Sequence, residues 1–281
     1  MSATLKEILA SVRERVQQAQ RSADLADLRR RAAQHQPRGF RAALERAALE
    51  RTAGRGPAII AELKKASPSK GVIRGNFPVA QLARELEAAG AAALSVLTEE
   101  KYFHGSLDNL AEASAATRLP CLRKDFILDE FQLLEARAQG ADAVLLIVAA
   151  LEENESRHLT AVARELQLDV LCEVHDESEL KQALAAGCDV IGVNSRNLKT
   201  FQTDSQTLFR LASKLPANVL RVAESGLSSG DDLRRLSDAG YQAFLIGESL
   251  MRAESPGEAL RQIVRDFKAA SQITSHAQVR A

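Results

Sequence analysis

The spacing of hydrophobic positions changes partway along the chain. Over residues 1–55, Leu5, Ile8, Leu9, Val12 and Val16 recur at helical steps, and a second such stretch runs from Phe40 to Leu49. This spacing gathers apolar side chains on one helix face. The composition then breaks at Gly54-Arg55-Gly56-Pro57, a turn-forming cluster. Beyond it, short β-rich apolar runs alternate with amphipathic segments of helical length, the signature of a parallel sheet.

The runs predict strands at Ala58–Lys64, Ala92–Leu97, Cys121–Phe126, Ala143–Val148, Val170–Val174, Val190–Asn194, Leu220–Ser225 and Ala243–Ile246. Helices are expected near Val79–Ala89, Leu107–Ala116, Glu130–Gln139, Glu152–Leu166, Ser178–Ala186, Gln206–Lys214 and Ser229–Ala239, with a last one from Pro256. Eight strands, each followed by a helix, predict an α/β fold, a (β/α)8 TIM barrel over residues 56–270, with a doubly wound open sheet as the alternative. Four helix-to-strand junctions look alike, LEAAGAAALSV, EARAQGADAVLLI, ALAAGCDVIGV and LSDAGYQAFLI, and their glycines Gly90, Gly140, Gly187 and Gly240 lie 50, 47 and 53 residues apart. That is a repeat of every second βα unit. Glycine there supplies the left-handed residue that ends a helix. The segment SQITSHAQVRA, residues 271–281, is polar and unpatterned and is expected to fray.

In a barrel, functional residues sit at the C-terminal ends of strands. There Ile60, Glu62 and Lys64 share a parity, as do Leu122, Lys124 and Phe126, and Leu171, Glu173 and His175, while Asn194 aligns with Arg196 and the seventh run ends in Glu224. If Ile60 faces inward, these charges line the mouth. Desolvating such groups costs several kcal/mol unless they are paired. So many polar strand ends facing inward therefore argue for a site rather than for solubility. The bland alternative is an ion-pair network of Lys124 with Glu62 or Glu173 that only closes the barrel top.

Charge narrows the partners. With 37 basic and 37 acidic side chains the net charge is zero, which lacks a nucleic-acid footprint and permits a monomer, the preferred state, or a weak dimer. No apolar run approaches the roughly 20 residues that span a bilayer. The N-terminus interleaves charges, and Glu7 and Glu14 interrupt its arginines, unlike a secretory signal or a mitochondrial presequence. A cytoplasmic enzyme with a small-molecule substrate fits best. Cys121, Cys172 and Cys188 are odd in number and lack Cys-x-x-Cys spacing, which reads as reduced core thiols without a disulfide. His104, His158 and His175 are too scattered for a metal site, and neither metal nor cofactor is expected. There is no P-loop and no Gly-x-Gly-x-x-Gly after a strand. A sugar phosphate fits better, held by Ser225-Gly226 and Gly247 after the last two strands, with Ser67 and Lys70 after the first.

The motifs ELKKASPSKG, EKYFHGS, LRKDFILD, CEVHD, GVNSRNL, VAESGL and LIGESLM, in this order, resemble those of the indole-3-glycerol-phosphate synthase family over residues 40–262. The resemblance implies ring closure of 1-(2-carboxyphenylamino)-1-deoxyribulose 5-phosphate to indole-3-glycerol phosphate, with release of carbon dioxide and water, in tryptophan biosynthesis. It implies that the N-terminal helices cap the C-terminal face, that Lys124 is the general acid, that Glu173 is the base with Glu62 assisting, and that Lys64 meets the substrate carboxylate. The division of acid duties between Lys64 and Lys124 stays open. Asn194, Arg196 and Glu224 would orient the substrate, Phe103 and Phe126 would wall its ring, and Ser67, Ser225, Gly226 and Gly247 would bind phosphate. Glu248 stands where some members have Ser, so no hydroxyl contact comes from that position. Rival readings are a Schiff-base aldolase using Lys124 as nucleophile, phosphoribosylanthranilate isomerase, whose Cys–Asp pair is not evident at these strand ends, and a barrel that binds a metabolite without turnover.

Overall fold

Strand parity decides the architecture. In the computed structural model, which describes residues 4–52, 56–197 and 202–278, eight strands run parallel: β1 Ala58–Leu63, β2 Ala93–Leu97, β3 Cys121–Lys124, β4 Ala143–Ile147, β5 Asp169–Val174, β6 Val190–Asn194, β7 Leu220–Glu224 and β8 Ala243–Ile246. Each pairs with the next, and β1 also pairs with β8 (Ala58 opposite Ala243), so the sheet closes into a barrel. Ala58, Ile60, Leu122, Leu145, Leu171 and Val222 fill the interior. Their neighbours Ile59, Ala61, Val144, Leu146, Cys172 and Ala223 face outward into a second core. An open sheet is excluded by the closure.

The outer layer consists of α4 Val79–Ala88, α5 Leu107–Ala116, α6 Glu130–Ala138, α7 Glu153–Glu165, α8 Glu177–Ala185, α9 Gln206–Ala212, α10 Gly230–Asp238, the short α11 Glu248–Arg252 and α12 Pro256–Gln278. Gly90, Gly140, Gly187 and Gly240 all have positive φ, between +81° and +105°, as the repeat predicted. Helical backbone continues to Gln278 through the stretch expected to fray, because nothing in SQITSHAQ interrupts the hydrogen-bond ladder with Pro or Gly; residues 279–281 of that tail lie outside the described residues. Three small elements escaped the pattern: a hairpin of Ala66–Ser67 with Gly71–Val72, a 3₁₀ turn at Val148–Ala150 and the short α11.

Ahead of β1 lie α1 Leu5–Ser22, α2 Leu25–Gln34 and α3 Phe40–Thr52. The break expected at residues 54–57 falls partly on residues 53–55, outside the described ones. The three helices do not all cap the mouth, which corrects the expectation. Only α1 does: Arg15 reaches the Asp125 carboxylate at 2.9 Å and the Thr98 carbonyl at 3.3 Å, beside the ends of β3 and β2. Helix α2 packs along the flank against α6. Helix α3 closes the opposite end, where the Arg41 N–H donates to Asp169 at 2.9 Å and its guanidinium pairs with Asp189, at the starts of β5 and β6. Arg38 binds Asp142, just before β4, at 2.6 Å. The reason is chemical: the aspartates that open these strands offer acceptors that Arg38 and Arg41 complete, and Phe40 and Leu44, both fully buried, plug the apolar floor between them.

The cysteine expectation is also corrected. Cys172 and Cys188 form a disulfide with Cα atoms 6.3 Å apart, within the ordinary range for a bridge. The turn at Gly187 brings Cys188, two residues before β6, alongside β5, a neighbour relation across the sheet that sequence spacing does not reveal. Cys121 remains free and buried, and burial pushes its thiol up to about 12.

The floor assignment makes Phe40→Ala a stability variant. It should cost about 3–5 kcal/mol, read as a lower urea midpoint, with KM unchanged because the cavity lies at the other end.

Candidate active site

The strand ends converge as their parity requires. In the uppermost register Glu62 lies opposite Ser95, Leu97 opposite Lys124, Ile147 opposite Glu173 and Asn194 opposite Glu224. Above them opens a cavity of about 920 Å³. The catalytic, substrate-binding and phosphate-binding candidates from the sequence all border it, Glu62, Lys64, Ser67, Phe103, Lys124, Phe126, Glu173, Asn194, Arg196, Glu224, Ser225, Gly226 and Gly247, whereas His175 lies behind Glu173.

At its closed end the Lys124 ammonium donates to Glu173 Oε2 at 2.8 Å and to Glu224 Oε2 at 3.0 Å. Both carboxylates are almost wholly buried. Burial alone would lower the lysine pKa, but the charges of Glu173, Glu224 and Glu62 outweigh it and hold the group cationic above its ordinary value. A nucleophilic lysine needs the opposite shift, so the aldolase reading loses its physical basis. Burial would raise the Glu173 pKa, yet Lys124 and His175 bring it below the usual carboxylate range, helped by a hydrogen bond from Asn194. Glu224 goes the other way: burial and the Glu173 charge raise it against the pull of Lys124. Two carboxylates on one ammonium thus differ in proton affinity, the arrangement that separates acid from base roles. Across the mouth Lys64 donates to Glu62 Oε1 at 2.6 Å.

Missing side chains make this crowding possible. A Cβ on Gly192, at the inward position of β6, would meet Glu224 Oε1 at 2.0 Å, and one on Gly247 would meet Glu62 Oε1 at 2.4 Å. The apolar wall is formed by Phe103 and Phe126, whose ring centroids are 6.3 Å apart. Glu99, buried, accepts the N–H groups of Lys101, Tyr102 and Phe103 at 3.2, 2.7 and 3.1 Å and so fixes the loop that carries Phe103. Beyond β7, Ser225 and Gly226 both have positive φ, +65° and +72°, which for Ser225 is strain of the kind that gathers at ligand sites. Ser67 Oγ, buried at the cavity edge, has no hydrogen-bond partner among the described residues. Arg196 lies 3.8 Å from Glu248, which also holds Arg252 at 3.1 Å.

The sequence reading missed part of the lining. Leu145 and Ile147 of β4 were legible from parity, as inward positions of an apolar strand. Leu5 and Ile8 of α1 were legible as a helix face but not as cavity wall, because nothing local says where a leading helix docks. Glu99 carried no signal, since its role is to accept backbone N–H groups of its own loop.

A closed barrel with charged strand ends, an apolar wall and a polar pocket after β7 and β8 is the architecture of an acid–base enzyme acting on a small molecule. The family model for indole-3-glycerol phosphate synthase matches residues 5–263. An indole-3-glycerol phosphate synthase of Koribacter versatilis (strain Ellin345) is 58% identical over 265 residues, spanning 94% of this chain and 100% of that one. One of Burkholderia vietnamiensis (strain G4 / LMG 22486) is 48% identical, spanning 94% and 99%. The chain belongs to the indole-3-glycerol phosphate synthase family, decarboxylating lyases of tryptophan biosynthesis. Among solved structures, the thiamine phosphate pyrophosphorylase of Pyrococcus furiosus shares the fold, with a TM-score of 0.57 at 16% identity over 78% of this chain and 98% of that one.

Gly192→Ala tests the crowding. Its methyl group must push Glu224 away from Lys124, and misplacement on that scale costs turnover about 100-fold. Steady-state kinetics should show the loss in kcat, while circular dichroism shows a folded barrel.

Proposed function

We propose that this barrel converts 1-(2-carboxyphenylamino)-1-deoxyribulose 5-phosphate to indole-3-glycerol phosphate, carbon dioxide and water, with Lys124 as general acid and Glu173 as general base. One observation carries the reading: a buried ammonium held by two buried carboxylates at the base of a cavity with an aromatic wall.

The ring carbon bearing the carboxylate attacks the C2′ carbonyl of the sugar chain, and the carbonyl oxygen takes a proton from Lys124. The ammonium stays loaded at every working pH because three carboxylates face it. The transfer is still favourable, since a developing alkoxide is far more basic than an amine. The C–C bond to the carboxylate then breaks, its electrons restore the aromatic ring and carbon dioxide leaves. The new hydroxyl takes a second proton, from the Lys64 ammonium or a reloaded Lys124, and departs as water while Glu173, held below the usual carboxylate range by Lys124 and His175, takes a proton from the adjoining carbon. Glu62 assists proton transfer through Lys64, whose charge meets the substrate carboxylate. Asn194, Arg196 and Glu224 orient the chain, and Phe103 and Phe126 stack against the ring. Phosphate goes to the N–H groups of Ser225, Gly226 and Gly247 with the Ser67 hydroxyl, whose unpartnered buried oxygen supports that role.

Ring closure, decarboxylation and dehydration are all carried by proton transfer to and from the substrate, so the reaction needs neither metal nor cofactor. The chain acts as a monomer in the cytoplasm; among the described residues no helix is long and apolar enough to cross a membrane.

Lys124→Ala should lower turnover by at least about 100-fold, because a proton donor is lost, with the barrel still folded. Glu173→Gln should fall by a similar factor. Both are read by the fluorescence of indole-3-glycerol phosphate as it forms, and near-full turnover in either variant contradicts the role assigned to that residue.

A further inference from the structure

His175 follows β5 and shares the inward parity of Leu171 and Glu173. Its imidazole is held from one side: Nδ1 lies 2.9 Å from Glu179 Oε2, and the same oxygen accepts the His175 backbone N–H at 2.8 Å. Glu179 belongs to the first turn of α8, whose start is fixed by Asp176, its carboxylate accepting the N–H groups of Ser178 and Glu179 at 2.8 and 2.9 Å. On the other side Nε2 is buried, has no hydrogen-bond partner among the described residues and stands 3.5 Å from Glu173 Oε1. The second oxygen of Glu173 belongs to Lys124.

We propose that His175 is a positioning residue for Glu173: as an imidazolium tied to Glu179, it pins Oε1 of the carboxylate while Lys124 pins Oε2. The inference rests on the reading of Glu173 as the base. Apo hydrogen bonds of catalytic groups are often long and tighten with substrate, and 3.5 Å leaves that short approach. Pinning matters because a carboxylate that must reach one carbon–hydrogen bond loses rate with each orientation it samples besides the productive one.

The charges around the ring favour its protonated form. Glu179 faces it from α8, Glu173 from its own strand and Glu224 from β7, while the Lys124 ammonium of β3 lies beyond the two active-site carboxylates. Burial pulls the imidazole pKa down, but the Glu179 hydrogen bond and the three carboxylates outweigh it and raise it above the usual histidine value. The imidazolium is therefore present below that raised pKa and lost as the pH climbs through it.

The test is the pH dependence of kcat in the full chain for wild type, Glu179→Gln, His175→Gln and Glu173→Gln. Glu179→Gln keeps an acceptor for the His175 N–H and removes only charge, so it probes the pin in a folded protein. The expected result is that Glu179→Gln moves the alkaline fall of kcat to lower pH with KM unchanged, while His175→Gln loses about tenfold in kcat, at the low end of what orienting partners contribute, and loses that fall altogether. Wild-type pH profiles in both variants, beside an inactive Glu173→Gln, overturn the inference and leave the base assignment standing. An active Glu173→Gln overturns the base assignment and the inference with it.

Discussion

The active site depends on one buried ammonium. Lys124 is enclosed at the barrel mouth between Glu173 and Glu224, and each of the three would be costly there alone. Removing one partner from such a set costs about 3–5 kcal/mol, because the remaining charge is stranded in a medium of low dielectric. Much of the local design follows from accommodating this set. Gly192 and Gly247 lack the side chains that would displace Glu224 and Glu62. Strand parity aims every one of these groups inward from an otherwise apolar barrel. The inner core of small and branched residues beneath them leaves little room for the charges to relax downward.

The two ends of the barrel divide their tasks. At the mouth, α1 brings Leu5 and Ile8 to the cavity and is tied down through Arg15 to Asp125, which Arg123 also holds at 3.0 Å. At the floor, α3 inserts Phe40 and Leu44 among the inner-core residues, and its Arg41, with Arg38 just ahead of the helix, satisfies the aspartates that open three neighbouring strands. Stability at one end and chemistry at the other is the usual economy of this architecture, and here the chain segment before β1 serves both.

How much of this the sequence discloses depends on the range of the interaction. Strand and helix positions came from local periodicity and agree with the fold to within one or two residues at most boundaries. Glu62, Lys124 and Glu173 were legible because period-two alternation fixes which side chains face inward once one is known. Interactions between segments distant in sequence were not legible. Helix α2 was absorbed into its neighbours because LADLRRRAAQ carries few apolar positions. The docking of α3 on the floor depends on Asp142, Asp169 and Asp189, which only the closed barrel brings together. The Cys172–Cys188 bond follows from strand adjacency, and Glu179 serves His175 through a helix start whose position is set by Asp176. The specific chemistry required the ordered motif set as well, since charged strand ends alone fit several barrel enzymes.

The most direct test of the account is a crystal structure with a substrate analogue whose C2′ carbonyl is reduced to an alcohol, so that ring closure cannot begin. The account predicts the Lys124 Nζ within hydrogen-bond distance of the C2′ oxygen, the aromatic ring against Phe103 and Phe126, and the phosphate at Ser225-Gly226 and Gly247. A bound analogue whose C2′ oxygen lies out of reach of Lys124, with the lysine still closed on Glu173 and Glu224, would contradict it.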